Sequence, residues 1–291
     1  MKDINIFCFG FGIVAKNFIS KLQTENFKIN LSTTSRDLKK KSEINNIKFN
    51  RYQFNENQFD PSLIKSLQNA DHILISIPPV NGKDLVIKNF SKIIDESRHK
   101  WLTYLSATSV YGDHKGDWVT EESKTLPTSE NGINRLEAEN SWISLYKNKK
   151  IALQIFRLSG IYSNHNNALV RLKCGNKNII SKKDHFFSRI HVEDIVNVLF
   201  KSLTNFKSGE IFNISDDKPS SSEEVTLYGA KILEVAKLKK IDPKDIESQM
   251  LRNFYKDSKK VSNKKMKKFF NYDLKFPTYV EGLNYIRNNF I

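Results

Sequence analysis

The chain of 291 residues is long enough for one large α/β unit or for two lobes. Its formal net charge of +15 invites a nucleic-acid interpretation, but lysine outnumbers arginine and is spread along the chain among many Asn and Ile residues, which favours a solvated surface over a nucleic-acid partner. The two cysteines have no metal-ligand spacing and no apolar run reaches the roughly 20 residues of a membrane helix, so we expect a cytoplasmic protein without a metal or a membrane anchor.

Short apolar runs alternate with amphipathic, helix-length segments from Ile4 to about residue 160. The predicted strands are INIFCFG, FKINLSTTS, IKFNRYQF, DHILISI, WLTYLSAT and IALQIFRLSGIY, and the helices between them are FGIVAKNFISKLQ, PSLIKSLQN, DLVIKNFSKIIDES and NRLEAENSWISLYKN. Strand and helix repeated in this way are typical of βαβ units around a parallel sheet. Continuous apolar strands such as HILISI fit a sheet that is covered on both faces. We therefore predict an α/β fold with a Rossmann-type, doubly wound parallel sheet.

The alternation loosens beyond about residue 160, and the last seventy residues read as mostly helical. The basic stretch 256–270 is predicted to contain a helix that follows Ser262, with Met266, Phe269 and Phe270 on its apolar side and its lysines in solvent. These features predict a smaller C-terminal substrate lobe. The predicted Rossmann domain comprises residues 1–160 with 187–217 returning to it, and the substrate lobe comprises 161–186 and 218–291.

The first predicted strand and helix are joined by a glycine turn of the form G-x-G-x-x-A, made by Gly10, Gly12 and Ala15. Gly10 permits the tight turn, Gly12 lets the backbone approach a pyrophosphate, and Ala15 keeps the helix close to the strand. The N-H groups and positive end of the helix then face the phosphates. This context favours a dinucleotide-binding turn over a purely structural one.

The end of the second predicted strand indicates which dinucleotide binds. An NAD-selective site presents a carboxylate to the adenosine ribose there, whereas this chain has Ser35 and Arg36. A guanidinium can hold a phosphate through two parallel charge-assisted hydrogen bonds. The sequence therefore predicts NADP as the cofactor, with NAD as the alternative if Arg36 is only a surface residue.

Five motifs in order carry a resemblance to a known family: GFGIVA, LSATSVYGD with WVTEE and Pro127 behind it, GINRLEAE, IFRLSGIY and FSRIHVEDI. Together they resemble the extended short-chain dehydrogenase/reductases, relatives of the nucleotide-sugar epimerases and dehydratases. FSRIHVEDI and SKKVSNKKMKKFF are most similar to an atypical, YeeZ-like bacterial branch. The resemblance implies a cofactor-binding Rossmann lobe, a second lobe that closes over a small-molecule substrate, and a homodimer formed through the helices at 82–96 and 131–148.

The same resemblance implies a catalytic set that this chain lacks. The family places a Tyr, a Lys four residues later and a Ser or Thr before VYG, where this chain has Asn131, Arg135 and Ala107. An Asn amide cannot take up a proton near neutral pH, whereas Arg135 keeps the cation that the family uses on the nicotinamide ribose. Ser106 and Thr108 flank Ala107 and are predicted to point away from its face.

Other residues are candidates for the missing acid or for substrate binding. Tyr111, Asp113, His114 and Glu121 follow the strand, and for Tyr111 packing is favoured over catalysis. By resemblance, Arg157, Arg189 and His191 are substrate-site candidates. Arg189 would meet an anionic group or pair with Glu193 or Asp194. The sequence thus predicts an NADP-dependent oxidoreductase or epimerase-like enzyme for a small, sugar-derived substrate, the alternative being a non-catalytic NADP-binding protein whose bound state a partner recognises.

Overall fold

The computed structural model describes residues 2–37, 43–97, 99–248, 252 and 255–291. The chain forms two compact units. The first comprises Met1–Ala107, Ile133–Arg157 and Val196–Phe212, and the second comprises Thr108–Gly132, Leu158–Ile195 and Asn213–Ile291. These ranges differ from the predicted domains at 108–132, 158–160, 187–195 and 213–217, which belong to the second unit. Strands within 108–132 and 187–195 pair with other strands of that unit.

A seven-stranded sheet forms the centre of the first unit. Its strands, in order across the sheet, are β5 (Asn50–Gln53), β2 (Phe27–Ser35), β1 (Lys2–Phe9), β6 (His72–Ile75), β7 (Trp101–Ala107), β9 (Leu153–Leu158) and β13 (Glu210–Ile214). The pairs β2 with β5, β1 with β2, β1 with β6 and β6 with β7 are parallel. Strand order reverses between β1 and β6, and ligands of open α/β sheets bind outside the carboxyl ends of the strands at such a point.

Helices cover both faces of this sheet. The helices that lie fully within the described ranges are α1 (Ile13–Thr24), α2 (Leu63–Gln68), α3 (Leu85–Glu96), α4 (Glu130–Lys149), α5 (Ala168–Lys173), α6 (Val192–Ser202), α7 (Ser222–Ile232), α8 (Lys264–Phe270) and α9 (Tyr279–Phe290). On one face, Tyr104 of β7 packs against Trp142 of α4, with ring centroids 6.1 Å apart. On the other, Trp101 of β7 contacts Phe18 of α1 and donates to Ser202 Oγ of α6 at 2.9 Å. The predicted doubly wound Rossmann fold is confirmed.

A buried ion pair connects β9 to α4 within the first unit. The Arg157 Nη2 lies 2.7 Å from Glu139 Oε2, and its Nε donates to both carboxylate oxygens at 3.1 Å. Arg157 is 4 % exposed and Glu139 is 0 % exposed. Each charge is therefore kept in the interior by the other, since a buried ion without its partner is strongly unfavourable.

Short parallel strand pairs and helices build the second unit. Its strands are β8 (Trp118–Val119), β10 (Gly160–Tyr162), β11 (Asn178–Ile180), β12 (Arg189–His191), β14 (Lys239–Ile241) and β15 (Lys260–Val261), paired as β10 with β12, β11 with β14 and β8 with β15. In the first unit, β3 (Glu43–Ile44) and β4 (Ile47–Lys48) form a small antiparallel pair. The predicted basic helix is α8, which is preceded by Asn263 rather than Ser262 and buries Met266 and Phe270. No helix among the described residues is long and apolar enough to cross a membrane.

The loop after β7 turns at Gly112, directly after the 3-10 turn Thr108–Tyr111. Gly112 has φ +70°, and a Cβ added there would lie 1.7 Å from the carbonyl oxygen of Leu126. The Leu126 amide donates to the Tyr111 carbonyl at 3.1 Å, so the two segments of this loop are locked together. Only glycine satisfies both the backbone angle and this close approach.

Replacing Gly112 by Ala therefore tests the packing of this loop. Gly175→Ala is the matched control, because Gly175 has φ +84° but no atom within 4 Å of an added Cβ. The free energy of unfolding of Gly175→Ala should fall by about 1–2 kcal/mol, because alanine is unfavourable in the left-handed backbone conformation. That of Gly112→Ala should fall by about 2 kcal/mol or more beyond this, because its Cβ must also displace the backbone at Leu126. Urea denaturation of both variants measures the difference, and equal losses would contradict the close approach.

The buried ion pair gives a second test, in the first unit. Arg157→Met leaves the Glu139 carboxylate buried without its partner and should cost about 3–5 kcal/mol of unfolding free energy. The double variant Arg157→Met with Glu139→Leu removes both charges and should recover most of that loss. Denaturation curves of the single and double variants make the comparison. A single variant as stable as the parent would show that Arg157 is free to serve another ligand.

Candidate functional site

The glycine turn lies at the carboxyl end of β1, where the strand order reverses. Gly10 has φ +84°, and an added Cβ would lie 2.7 Å from Ile77 Cγ2 and 2.9 Å from Ser76 Oγ. The Gly10 amide donates to Thr34 Oγ1 at 2.9 Å, and the Ser76 hydroxyl donates to the carbonyl oxygen of Phe9 at 3.1 Å. Side chains from β2 and from the end of β6 therefore hold the turn in place, and any other residue at Gly10 would collide with them.

The second glycine of the turn leaves room for a ligand. Gly12 is the N-cap of α1, with φ −82°, and none of the side chains in the described ranges caps the helix. An added Cβ at Gly12 would meet no atom within 4 Å, so the space in front of the helix is open. Ala15 is fully buried against the sheet. An uncapped helix N-terminus with open space is the arrangement that accepts a phosphate group, so these residues fit a dinucleotide pyrophosphate.

The end of β2 has no carboxylate at its last residue. The Ser35 hydroxyl donates to the carbonyl oxygen of Asp37 at 2.6 Å, which fixes the backbone as it leaves the strand. The Arg36 side chain is exposed, and no ion pair joins it to a described residue. The Gln53 amide donates to the Arg36 carbonyl oxygen at 3.4 Å. Arg36 is therefore available to an anionic ligand, while Asp37 lies one residue further along.

The three positions of the family's catalytic set have no ionisable acid. Ala107 is the last residue of β7, and Asn131 lies exposed in the first turn of α4. Arg135 lies one turn after Asn131, and its Nη1 donates to the carbonyl oxygen of Leu105 at 2.6 Å. Ser106 is 2 % exposed and its hydroxyl finds no partner within the described ranges. Arg135 thus keeps a fixed positive charge beside β7, but no proton donor accompanies it at these positions.

The alternative acids in the loop after β7 have structural hydrogen bonds. Tyr111 is 0 % exposed and donates to Asn213 Oδ1 at 2.7 Å. His114 lies with its Nε2 3.1 Å from the Tyr111 carbonyl oxygen. Asp113 Oδ1 accepts from the Ser258 amide at 2.8 Å, and this carboxyl has a pKa below its usual value despite partial burial. These contacts favour the packing interpretation of Tyr111.

Glu121 is the acid of this loop whose proton is held more tightly than usual. Burial raises the pKa of its carboxyl, although Oε1 accepts a hydrogen bond from the Asn213 amide at 2.7 Å. A carboxyl with a raised pKa keeps its proton closer to neutral pH than an exposed one, which is the direction a general acid requires. Glu121 is nevertheless fixed to the backbone by this hydrogen bond.

The substrate-site candidates of the second unit are held by protein groups. Arg189 Nη1 donates to the carbonyl oxygens of Ser220 at 2.7 Å and Phe187 at 3.2 Å, and the buried Asp216 carboxylate interacts with its charge. Its two predicted ion-pair partners are engaged elsewhere. Glu193 pairs with Lys275 at 2.6 Å, and Asp194 accepts from the Tyr272 hydroxyl at 2.6 Å.

His191 is also enclosed. It is 2 % exposed and its ring lies against the rings of Tyr162 and Phe276, with centroid distances of 5.0 and 4.3 Å. Burial lowers the pKa of His191 to about 4, so its imidazole is neutral at pH 7. In the first unit, Arg157 is taken up by Glu139. The structure thus gives Arg157 and Arg189 hydrogen-bond partners within the fold and encloses His191, whose Nδ1 accepts from the Glu193 amide at 3.3 Å and whose Nε2 has no hydrogen-bond partner in the described ranges.

A cavity of about 590 Å³ lies in the second unit. Helices α5 and α7, strands β11 and β14, and residues 245–248 with Tyr255 contribute to its wall. Arg171, Lys239 and Lys240 supply positive charge, Asp245 and Glu247 supply negative charge, and Ser222, Thr226, Asn176 and Asn178 supply neutral hydrogen-bonding groups. Lys240 is already paired with Glu223 at 3.1 Å. This mixed lining suits a polar molecule with an anionic group near Arg171.

Sequence reasoning missed this cavity because its lining is spread over five chain segments, none of which forms a motif. It also missed Thr34 and Ser76, whose only sequence signal is a small hydroxyl residue at the end of a strand. Arg51 of β5 was missed as well, since a single cation within a strand carries no signal. In the described part of the chain, no group of three His, Cys, Asp or Glu side chains is arranged to hold a metal ion.

Comparison with known proteins identifies one relative at substantial identity. A conserved protein of unknown function from Silicibacter pomeroyi is 30 % identical, covers 99 % of both chains and has a TM-score of 0.88. No family model and no curated protein sequence matches the chain.

More distant solved structures share the fold. UDP-glucuronic acid 4-epimerase from Bacillus cereus in complex with NAD is 17 % identical over 100 % of both chains, with a TM-score of 0.74. The dTDP-glucose 4,6-dehydratase from Bacillus anthracis in complex with NAD is 17 % identical, covers 99 % of this chain and 97 % of its own, and has a TM-score of 0.74. The chain therefore belongs to the family of the Silicibacter pomeroyi protein and has the fold of the extended short-chain dehydrogenase/reductases.

Proposed function

We propose that this protein binds NADP at the glycine turn and uses it in an oxidoreductase or epimerase-like reaction on a small, sugar-derived substrate. One observation carries the proposal: the turn at Gly10 and Gly12 leaves the N-terminus of α1 without a side-chain cap from the described residues and with open space at Gly12. Bound NADP would supply hydride transfer. Residues of this chain would supply the phosphate-binding backbone amides and the cation at the end of β2.

The solved structures of similar fold support a dinucleotide and a sugar nucleotide as ligands. One of them, MoeE5 in complex with UDP-glucuronic acid and NAD, is 14 % identical, covers 96 % of both chains and has a TM-score of 0.77. By analogy, we propose that the cavity of the second unit accepts the polar part of such a substrate. Arg171 is the candidate for its anionic group, because partial desolvation of its guanidinium lowers its pKa and strengthens its interaction with an anion.

The preference for NADP over NAD rests on the end of β2. The last strand residue is Ser35, which cannot accept the ribose 2'-hydroxyl as a carboxylate would, and Arg36 can meet a 2'-phosphate. Asp37 works against this preference if its carboxylate reaches the ribose. The charge-assisted bond from Arg36 decides the balance, since it is worth about 1.5–3 kcal/mol.

Catalysis without the family's tyrosine is the second part of the proposal. A positioned general acid or base contributes about 10²–10⁴-fold to a rate, while positioning contributes about 7–11 kcal/mol. Asn131 and Ala107 therefore slow the family's reaction without removing the contribution of binding and orientation. A protein that binds NADP but turns over no substrate is the alternative, in which the bound state itself is the signal.

A third prediction concerns the cofactor. NADPH should bind at least about tenfold more tightly than NADH, because about 1.4 kcal/mol corresponds to a factor of ten. Arg36→Ala should remove most of this difference and Arg36→Asp should favour NADH. Gly12→Val should weaken both cofactors at least about tenfold by filling the space in front of α1. Calorimetric titration measures all four proteins.

Thermal melting of the same four proteins shows whether each variant is folded. Gly12→Val should lose no more than about 1 kcal/mol of stability, since its side chain enters open space. Equal affinity of the parent for NADPH and NADH would refute the assignment to NADP. Unchanged affinity in Gly12→Val would refute the glycine turn as the binding site.

A fourth prediction concerns the missing catalytic set. The triple variant Ala107→Ser, Asn131→Tyr and Arg135→Lys restores the residues of the resembled family, but it should leave UDP-glucose and UDP-glucuronic acid unreacted, because we expect the substrate-binding part of the chain to have changed together with these three positions. Product analysis of the parent and the triple variant with bound NADP and NAD makes the test. Turnover by the triple variant alone would show that the substrate-binding part is still that of an ordinary nucleotide-sugar epimerase.

A further inference from the structure

Arg51 of β5 is a cation whose guanidinium is partly enclosed and unpaired. Its Nε and Nη1 are buried and have no hydrogen-bond partner in the described ranges, and no described carboxylate forms an ion pair with it. The guanidinium lies 5.1 Å from the ring centroid of Phe49, and its partial burial lowers its pKa. Such a group destabilises the folded chain unless an acceptor reaches it, because buried N-H donors lose their hydrogen bonds to water.

Two aromatic side chains, Phe49 and Phe11, connect Arg51 to the glycine turn. Arg51 is in register with Thr33 of β2, and Gln53, two residues later, is in register with Ser35 at the end of β2. Phe49, over which the guanidinium lies, is in contact with Phe11, with ring centroids 5.1 Å apart. Phe11 is the residue between the two glycines of the turn. The contacts from Arg51 to Phe49 and from Phe49 to Phe11 thus connect Arg51 to the glycine turn that precedes α1.

Strand alternation places Arg51 away from the α3 side of the sheet. Tyr52 and Phe54 belong to the core that also contains Phe90 of α3. Phe49 and Arg51 alternate with them and therefore lie on the other face, the face that α1 covers. Arg51 and the N-terminus of α1 are thus on one side of the sheet, with Arg36 at the end of the neighbouring strand.

We propose that Arg51 is a specificity-determining residue that binds the 2'-phosphate of NADP together with Arg36. The inference rests on the proposed function, because it needs the dinucleotide at the glycine turn. A dianionic phosphate has enough acceptor oxygens for both guanidinium groups, and the planar fork of each can donate two parallel hydrogen bonds. The cation–π contact with Phe49 holds the Arg51 guanidinium near this ring before the phosphate binds.

The test separates the 2'-phosphate from the rest of the cofactor. Adenosine 2',5'-bisphosphate and adenosine 5'-monophosphate differ only in this phosphate, and both are titrated calorimetrically into the full-length parent, Arg51→Met and Arg51→Lys. Arg51→Met should bind the bisphosphate at least about tenfold more weakly with unchanged binding of the monophosphate. Arg51→Lys should fall between them, since it keeps the charge but loses the fork. Lys48→Met, which removes a neighbouring exposed charge, is the matched control and should bind both nucleotides as the parent does.

The thermal stability of Arg51→Met distinguishes a role in phosphate binding from a structural role. Arg51→Met removes unsatisfied donors and should melt at the same temperature as the ligand-free parent or higher, whereas a structural arginine would lower it. The inference is overturned if Arg51→Met binds the bisphosphate as the parent does, or if it weakens both nucleotides equally. It falls together with the proposed function if the parent binds neither nucleotide, or binds the bisphosphate no more tightly than the monophosphate.

Discussion

The proposed cofactor site depends on one close approach, that of the Gly10 backbone to Ser76 and Ile77, directly after β6. The space for a side chain there is taken by Ile77 and Ser76, and the backbone adopts a left-handed conformation. Because of this turn, the chain leaves β1 and starts α1 within three residues, so the uncapped helix end points out of the carboxyl edge of the sheet. The Thr34 and Ser76 hydroxyl groups hold the turn, and through it they position the amides that would face a pyrophosphate.

The three residues predicted to bind substrate, Arg157, Arg189 and His191, lie in the interior among charged, polar or aromatic groups of the fold. Arg157 is neutralised by Glu139, Arg189 is held by backbone carbonyl oxygens, and His191 is enclosed by aromatic rings. All three are polar residues in motifs that resemble those of an enzyme family, yet all three are enclosed by the protein. A buried charge requires a partner wherever it occurs, so a cation in such a motif can belong to the scaffold instead of a binding site. Arg36 and Arg51 differ because no described residue satisfies them.

Much of the fold could be predicted from local sequence. The run FKINLSTTS predicts β2 at its observed bounds, and the glycine spacing predicts the turn before α1. These features depend on residues that are near each other in the chain. Glu139 and Arg157 are 18 residues apart, and the pairing of β8 with β15 joins segments more than a hundred residues apart. No periodicity encodes such contacts, so the partners of Arg157 and the second unit's range 108–132 required the three-dimensional structure. The position of Arg51 beside Thr33 of β2 is also a long-range contact, because it follows from the register of β5 against β2.

The proposed function separates two capabilities, cofactor binding and proton transfer. Binding a dinucleotide needs backbone amides, open space and cations, and the candidates for these in the first unit are Gly12, Arg36 and Arg51. Proton transfer needs an ionisable group at the reacting atom, and Asn131 and Ala107 do not provide one. Loss of the acid lowers a rate but leaves the free energy of cofactor binding untouched, because the two depend on different atoms. Cofactor binding and the proposed reaction both need the glycine turn. The proposed reaction also needs a place for a second molecule, and the cavity beside Arg171 has the polar and charged lining that can bind one.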